Sequence, residues 1–190
     1  MRELSLHLLD ICENSVKAGA SLVEIGVRAS PKEDTLTLTV TDDGCGMSEE
    51  FLARVTDPFT TTRRTRKVGM GIPLFKLAAE TAGGSFEIRS EVGRGTQVQA
   101  TFQLSHIDRA PLGSLSETLC ALLSDSTTNA GKQVDFLLDY AVEDRNFRFD
   151  TRELRTELGE LIPLDEPEIL NFVRNLLEEN IIEINGGAEI

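Results

Sequence analysis

Cysteine, histidine and the large aromatics are scarce in this 190-residue chain, which has three cysteines, two histidines, one tyrosine and no tryptophan. Cys12, Cys45 and Cys120 are odd in number, far apart and never at C-x-x-C spacing. That pattern predicts reduced thiols and no structural zinc. No apolar run approaches the roughly 18 residues that a membrane helix requires, and Met1-Arg2-Glu3 does not lead into the apolar stretch of a secretory signal. A cytoplasmic protein without a membrane partner is expected. Internal repeats and low-complexity tracts are also missing. Positive charge is in short supply, most of all late in the chain: residues 108–190 carry 7 Lys/Arg against 18 Asp/Glu, while residues 1–107 carry 12 against 14. Within an overall charge of -13, the acidity of that later part argues against a polyanion-binding role for it, and no nucleic-acid partner is expected. A local exception is Arg63, Arg64, Arg66 and Lys67, four cations within five residues.

What is present is clear periodicity. Over residues 4–17, Leu4, Leu8, Ile11 and Ser15 share one helical face and Asp10, Asn14 and Lys17 the opposite one, with Leu6 the misfit. After Ala18-Gly19-Ala20, residues 22–28 and 35–41 alternate as half-buried strands, and the parity of the second carries Asp42 onto the inward face. Ser48 with Glu49 and Glu50 starts a short helix, and residues 57–69 read as an irregular loop. A helix over 71–82 tolerates Pro73 in its first turn and stops at Gly83-Gly84. Strands at 86–91 and 97–104 are joined by Gly93-Arg94-Gly95. The expected organisation is a 1–107 unit, a linker at 108–113 around Pro111 and Gly113, and an acidic α+β unit at 114–190. That last unit should hold helices at 115–124, 151–159 and 166–180 and a hairpin turning at Glu143 to Asn146. The fold class is therefore α+β, a two-layer sandwich of mixed, mostly antiparallel sheet with helices on one face.

Four separated stretches carry the chemistry. Asp10 and Asn14 lie one helical turn apart; an amide oxygen suits magnesium, and a carboxylate a turn away can orient or deprotonate water. Asp42 in Asp42-Asp43-Gly44-Cys45-Gly46-Met47 is an inward acid that needs a donor, which an adenine amino group supplies. Asp57-Pro58-Phe59-Thr60-Thr61-Thr62, the basic run and Gly69-Met70-Gly71 place glycines at a helix start, where backbone N–H groups bind phosphate. Gly93-Arg94-Gly95-Thr96 adds a sharp bend and a hydroxyl.

In this order the stretches resemble the N box, the two glycine boxes and the terminal Gly-Thr element of the superfamily of gyrase, the ninety-kilodalton heat-shock chaperones, histidine kinases and MutL, the Bergerat ATP-binding fold. The resemblance covers residues 1–104. Glu13 to Ala20 is similar to the MutL N box, whereas Asp57 to Thr62 and Gly93 to Thr96 are closer to histidine kinases. It implies that Asn14 binds magnesium, Asp42 reads adenine, Gly44 and Gly46 shape the base pocket, Gly69 and Gly71 cradle phosphates, and Thr96 lines the base. It also implies ATP contacts from Lys17, Met47, Phe59, Thr61, Thr62, Lys67, Val68, Met70 and Ile72, with Asp10 as the catalytic group. Two departures stand out: Asp10 replaces the glutamate of hydrolysing relatives, and Pro73 follows the second glycine box where kinases usually carry glycine.

The resemblance implies three functions: a kinase-like protein acting on a separate protein that supplies the phosphoacceptor, a MutL-like hydrolysing switch, or a non-catalytic nucleotide-binding adaptor. A homodimer is compatible with each. The start of the N box beside Met1 leaves no room for a phosphoacceptor hairpin ahead of it in this sequence, and His7 and His106 are read as structural residues.

Overall fold

The computed structural model of the chain describes residues 3–55, 70–126, 133–159, 163–187 and 190. Helix α1 (Leu4–Lys17) buries Leu4, Leu8, Ile11 and Ser15, as its wheel requires, together with His7 and Cys12. Leu6, the misfit, is 40% exposed. Glu3 provides no side-chain cap for α1. The helix is capped from a distance instead: the amides of Leu4 and Ser5 donate to the carbonyls of Pro111 and Leu112 at 2.9 and 2.7 Å. Two donors that a helix start leaves unpaired are thereby satisfied.

Strands β1 (Leu22–Ser30) and β2 (Thr35–Asp42) pair antiparallel. Helix α2 (Glu49–Val55) starts where the Ser48 hydroxyl accepts from the Phe51 amide at 3.2 Å. Helix α3 (Gly71–Thr81) precedes β3 (Ser85–Glu91) and β4 (Gly95–Gln103), which form the expected hairpin. Then come α4 (Leu115–Ser126), β5 (Asp135–Val142), β6 (Arg145–Asp150), α5 (Thr151–Leu158) and α6 (Pro167–Asn185). Helix α6 runs past the expected 180 because Ile181 and Ile184 continue its apolar pattern until Gly186, in the left-handed conformation, ends it.

The six strands among the described residues form one sheet in the order β3-β4-β2-β1-β5-β6. The hairpin expected within a separate acidic unit lies in this same sheet, with β5 beside β1 in parallel register, Ile25 opposite Leu138. The remaining neighbours are antiparallel. A parallel return needs a long connection, and the stretch containing α3, β3, β4 and α4 supplies it. The inward rows Val23, Ile25 and Val27, Leu36, Leu38 and Val40, and Val98, Ala100 and Phe102 are buried in one core with Leu119, Leu123, Phe136, Tyr140, Val173 and Leu177. The opposite face of β2 is a ladder of half-buried threonines, Thr35, Thr37, Thr39 and Thr41. Helix α5 packs on β5, where Leu137 is buried although it alternates with the core-facing residues. Among the described residues, no helix is long and apolar enough to cross a membrane.

Candidate nucleotide site

Strand register assembles the centre of the site. Asp42, the last residue of β2, is paired with Thr96 on β4, and Thr96 in turn with Ser90 on β3. This row meets α1 under a cavity of about 460 Å³. The cavity is walled by Ile11, Asn14, Ser15 and Ala18 of the first helix and its end, by Asp42 and the loop Cys45 to Ser48, by Phe51 and Val55 of α2, and by Ile72, Thr96 and Val98. Its wall is chiefly apolar with a few convergent polar groups, the usual make-up of a small-molecule site.

Asp42 is 8% exposed and well partnered. Its Oδ2 accepts from the Ser15 hydroxyl at 2.6 Å, and its Oδ1 from the Gly44 amide at 2.9 Å. The neighbouring acid has a different task. Asp43 accepts from the amides of Ser21 and Leu22 at 2.7 and 2.9 Å and from the Ser21 hydroxyl, stapling the glycine-rich loop to the start of β1. Burial pushes its carboxyl up, but these hydrogen bonds outweigh burial and hold it below the ordinary carboxylate range.

The glycine-rich loop is fixed on both sides. The Cys45 amide donates to Ala18 O at 3.0 Å, the Gly93 amide donates to Cys45 O at 2.8 Å, and the Met47 amide donates to the Ser90 hydroxyl at 2.8 Å. Ser90 is also 2.9 Å from the Thr96 hydroxyl. Gly46 has φ +64, and a Cβ there would collide with the carbonyl of Glu91. This contact, more than the freedom to turn, is why glycine is needed.

Of the expected site residues, Asn14, Asp42, Gly46, Met47, Ile72 and Thr96 line this cavity, and Gly44 serves it through Asp42. Lys17 is turned to solvent in an ion pair with Glu13 at 2.8 Å. Met70 is 66% exposed ahead of α3, and Gly71 is the buried first residue of that helix. Asp10 stands against Gly71 rather than on the cavity wall: a Cβ on Gly71 would lie 3.0 Å from that of Asp10. Burial, then the charge of Glu13, raises the Asp10 pKa. Phe59, Thr61, Thr62, Lys67, Val68 and Gly69, with the basic cluster, lie outside the described residues.

Sequence reasoning gave no site role to Ser15, Ser90, Phe51 or Val98. Ser15 carried a signal, being the polar residue on the stripe otherwise made by Leu4, Leu8 and Ile11. Ser90 carried none, because its part depends on strand pairing.

The chain matches the family described as histidine kinase-, DNA gyrase B- and HSP90-like ATPase over residues 2–106. It is 33% identical over 117 residues to the non-motile and phage-resistance protein of Caulobacter vibrioides, covering 57% of this chain and 14% of that protein. It is 36% identical over 110 residues to the sensor protein kinase FleS of Pseudomonas aeruginosa, covering 58% and 27%. It is 29% identical over 139 residues to the sensor histidine kinase AruS of the same species, covering 68% and 14%. The chain therefore spans 14% to 27% of the length of these curated relatives. A solved structure described as the N terminal domain of a DNA repair protein aligns with TM-score 0.49 and 13% identity, over 79% of this chain and 52% of that one. Since the family match takes in more than half of the sequence and the walls of the cavity from α1 to β4, the chain belongs to the histidine kinase-, DNA gyrase B- and HSP90-like ATPases, with an ATP-binding domain at residues 2–106.

Proposed function

We propose that the chain is a magnesium-dependent, kinase-like regulator that binds ATP and acts on a separate protein supplying the phosphoacceptor. The observation that carries this reading is the convergence of Asn14, Asp42, Gly46 and Thr96, from four separated stretches, on one cavity. Asp42, with both oxygens anchored, keeps lone pairs for the adenine amino group. The apolar walls of Ile11, Ile72 and Val98 suit the faces of a base.

Magnesium fits the residues present. Asn14 offers a neutral hard oxygen on the cavity wall. A site with few protein ligands and several phosphate oxygens is the usual arrangement for this ion. When bound, magnesium neutralises phosphate charge that phosphoryl transfer must disperse. Asp10, one turn before Asn14 and raised in pKa by burial, is the group assigned to receive a proton from water or an acceptor hydroxyl. The sensor kinases FleS and AruS among the relatives favour transfer to a protein over hydrolysis alone.

Incubation with γ-labelled ATP, magnesium and candidate partner proteins tests the reading. Label on a partner is expected, and Asn14→Ala should reduce it at least ~100-fold, in line with loss of a metal-positioning group. Asp42→Asn should weaken ATP binding by ~10-fold or more. Label recovered only as free phosphate would favour a hydrolysing switch, and calorimetry showing no heat from any adenosine phosphate would end the nucleotide assignment.

A further inference from the structure

We infer that Ser15 sets base selectivity at this site by spending its only proton on Asp42, an inference that rests on the adenine reading above. A serine hydroxyl inside a helix commonly turns back to the carbonyl four residues earlier. Ile11 O is available to Ser15 at 3.3 Å, but Asp42 Oδ2 is at 2.6 Å. The shorter distance falls in the range of a charge-assisted O–H to carboxylate bond, so the Ser15 hydroxyl donates to Asp42.

Three consequences follow for a ligand. The carboxylate cannot swing, since Ser15 holds Oδ2 and the Gly44 amide holds Oδ1. The Ser15 oxygen has no second proton and presents only lone pairs. Ser15 and Asp42 are 3% and 8% exposed, and both line the cavity. This corner therefore offers acceptors and no donor. A purine with an exocyclic amine at C6 meets it with a proton, whereas a 6-oxo purine sets an acceptor against acceptors and leaves buried groups unpaired.

The placement of Ser15 supports a functional over a packing role. The remainder of its stripe is Leu4, Leu8 and Ile11, and alanine is the better helix former at a buried interior position. A serine hydroxyl is costly there unless it is paired, and its short bond is to the acid on the cavity wall. Ser15 is thus a positioning residue that acts through Asp42.

Calorimetric affinities of the full chain for ATP and inosine triphosphate test the inference in the wild type, Ser15→Ala and Ser15→Thr. The wild type should prefer ATP over inosine triphosphate by ~100-fold, the upper end of what leaving a buried polar group unpaired costs. Ser15→Ala should compress the preference to ~10-fold or less, and Ser15→Thr, which keeps the hydroxyl, should retain most of it. A purely structural role would weaken both nucleotides alike. An unchanged ratio in Ser15→Ala, with both nucleotides still bound, would overturn the inference and leave the ATP assignment standing. Failure of the wild type to bind any adenine nucleotide would remove that assignment and this inference together. If circular dichroism shows that Ser15→Ala does not fold, Ser15→Cys, whose thiol is a weak donor, decides by the same ratio: compression to ~10-fold or less supports the inference, and an unchanged ratio overturns it.

Discussion

His7 stacks on Phe75 with ring centres 5.3 Å apart and is 3% exposed. Its Nδ1 is buried and has no hydrogen-bond partner among the described residues. Burial lowers the imidazole from the ordinary 6.5 to about 4. Between these values the unfolded chain takes up a proton that the native state refuses, so stability falls as pH drops through this window. The loss attributable to His7 is on the order of 3 kcal/mol. Urea melts at pH 7 and pH 4.5 should show it, and His7→Phe should flatten the difference; equal differences in the two proteins would assign the acid sensitivity to other groups. At this scale the sequence was only partly legible. The inward parity of Asp42 and the polar interruption at Ser15 could be read from spacing, whereas the division of labour between Asp42 and Asp43 depends on Ser15 and Ser21, which only the fold brings close.

Helix α1 carries Asp10, Asn14 and Ser15, yet part of what holds it comes from far along the chain. Its first amides are satisfied by Pro111 and Leu112, the Thr118 hydroxyl donates to Ser5 O at 3.4 Å, and α4 packs along it. Leu119 of α4 is 2% exposed in the shared core. Leu119→Ala should cost about 2 to 5 kcal/mol. Because α4 bears on α1, hydrogen exchange should show the amides of Leu4 and Ser5 losing protection along with those of α4. Protection at Leu4 and Ser5 that survives the substitution would show that the remote cap holds without support from α4. The elements themselves were readable, since hydrophobic period and glycine punctuation act locally. Which elements become neighbours was not. Alternation in residues 22–28 identifies the buried face of β1 but says nothing about the partner on its free side, which is β5.

For the molecule as a whole, one sheet and one core run through the ATP-binding residues and the acidic residues after them. Denaturation should therefore be a single cooperative event. Tyr140, the one tyrosine in a chain without tryptophan, lies buried in β5 and provides a local probe. Its fluorescence and far-ultraviolet circular dichroism should give coincident urea midpoints; an earlier tyrosine transition would mean that β5 detaches before the rest. The same parallel pairing affects synthesis. When β1 has left the ribosome, the strand that will flank it at residues 135–142 is still far from being made. Through that interval one row of its amides and carbonyls has no native mate, and such a row can recruit strands from neighbouring nascent chains. Truncated chains or proteolytic fragments that stop short of β5 would keep that row exposed permanently, and should aggregate more readily than the longer chain.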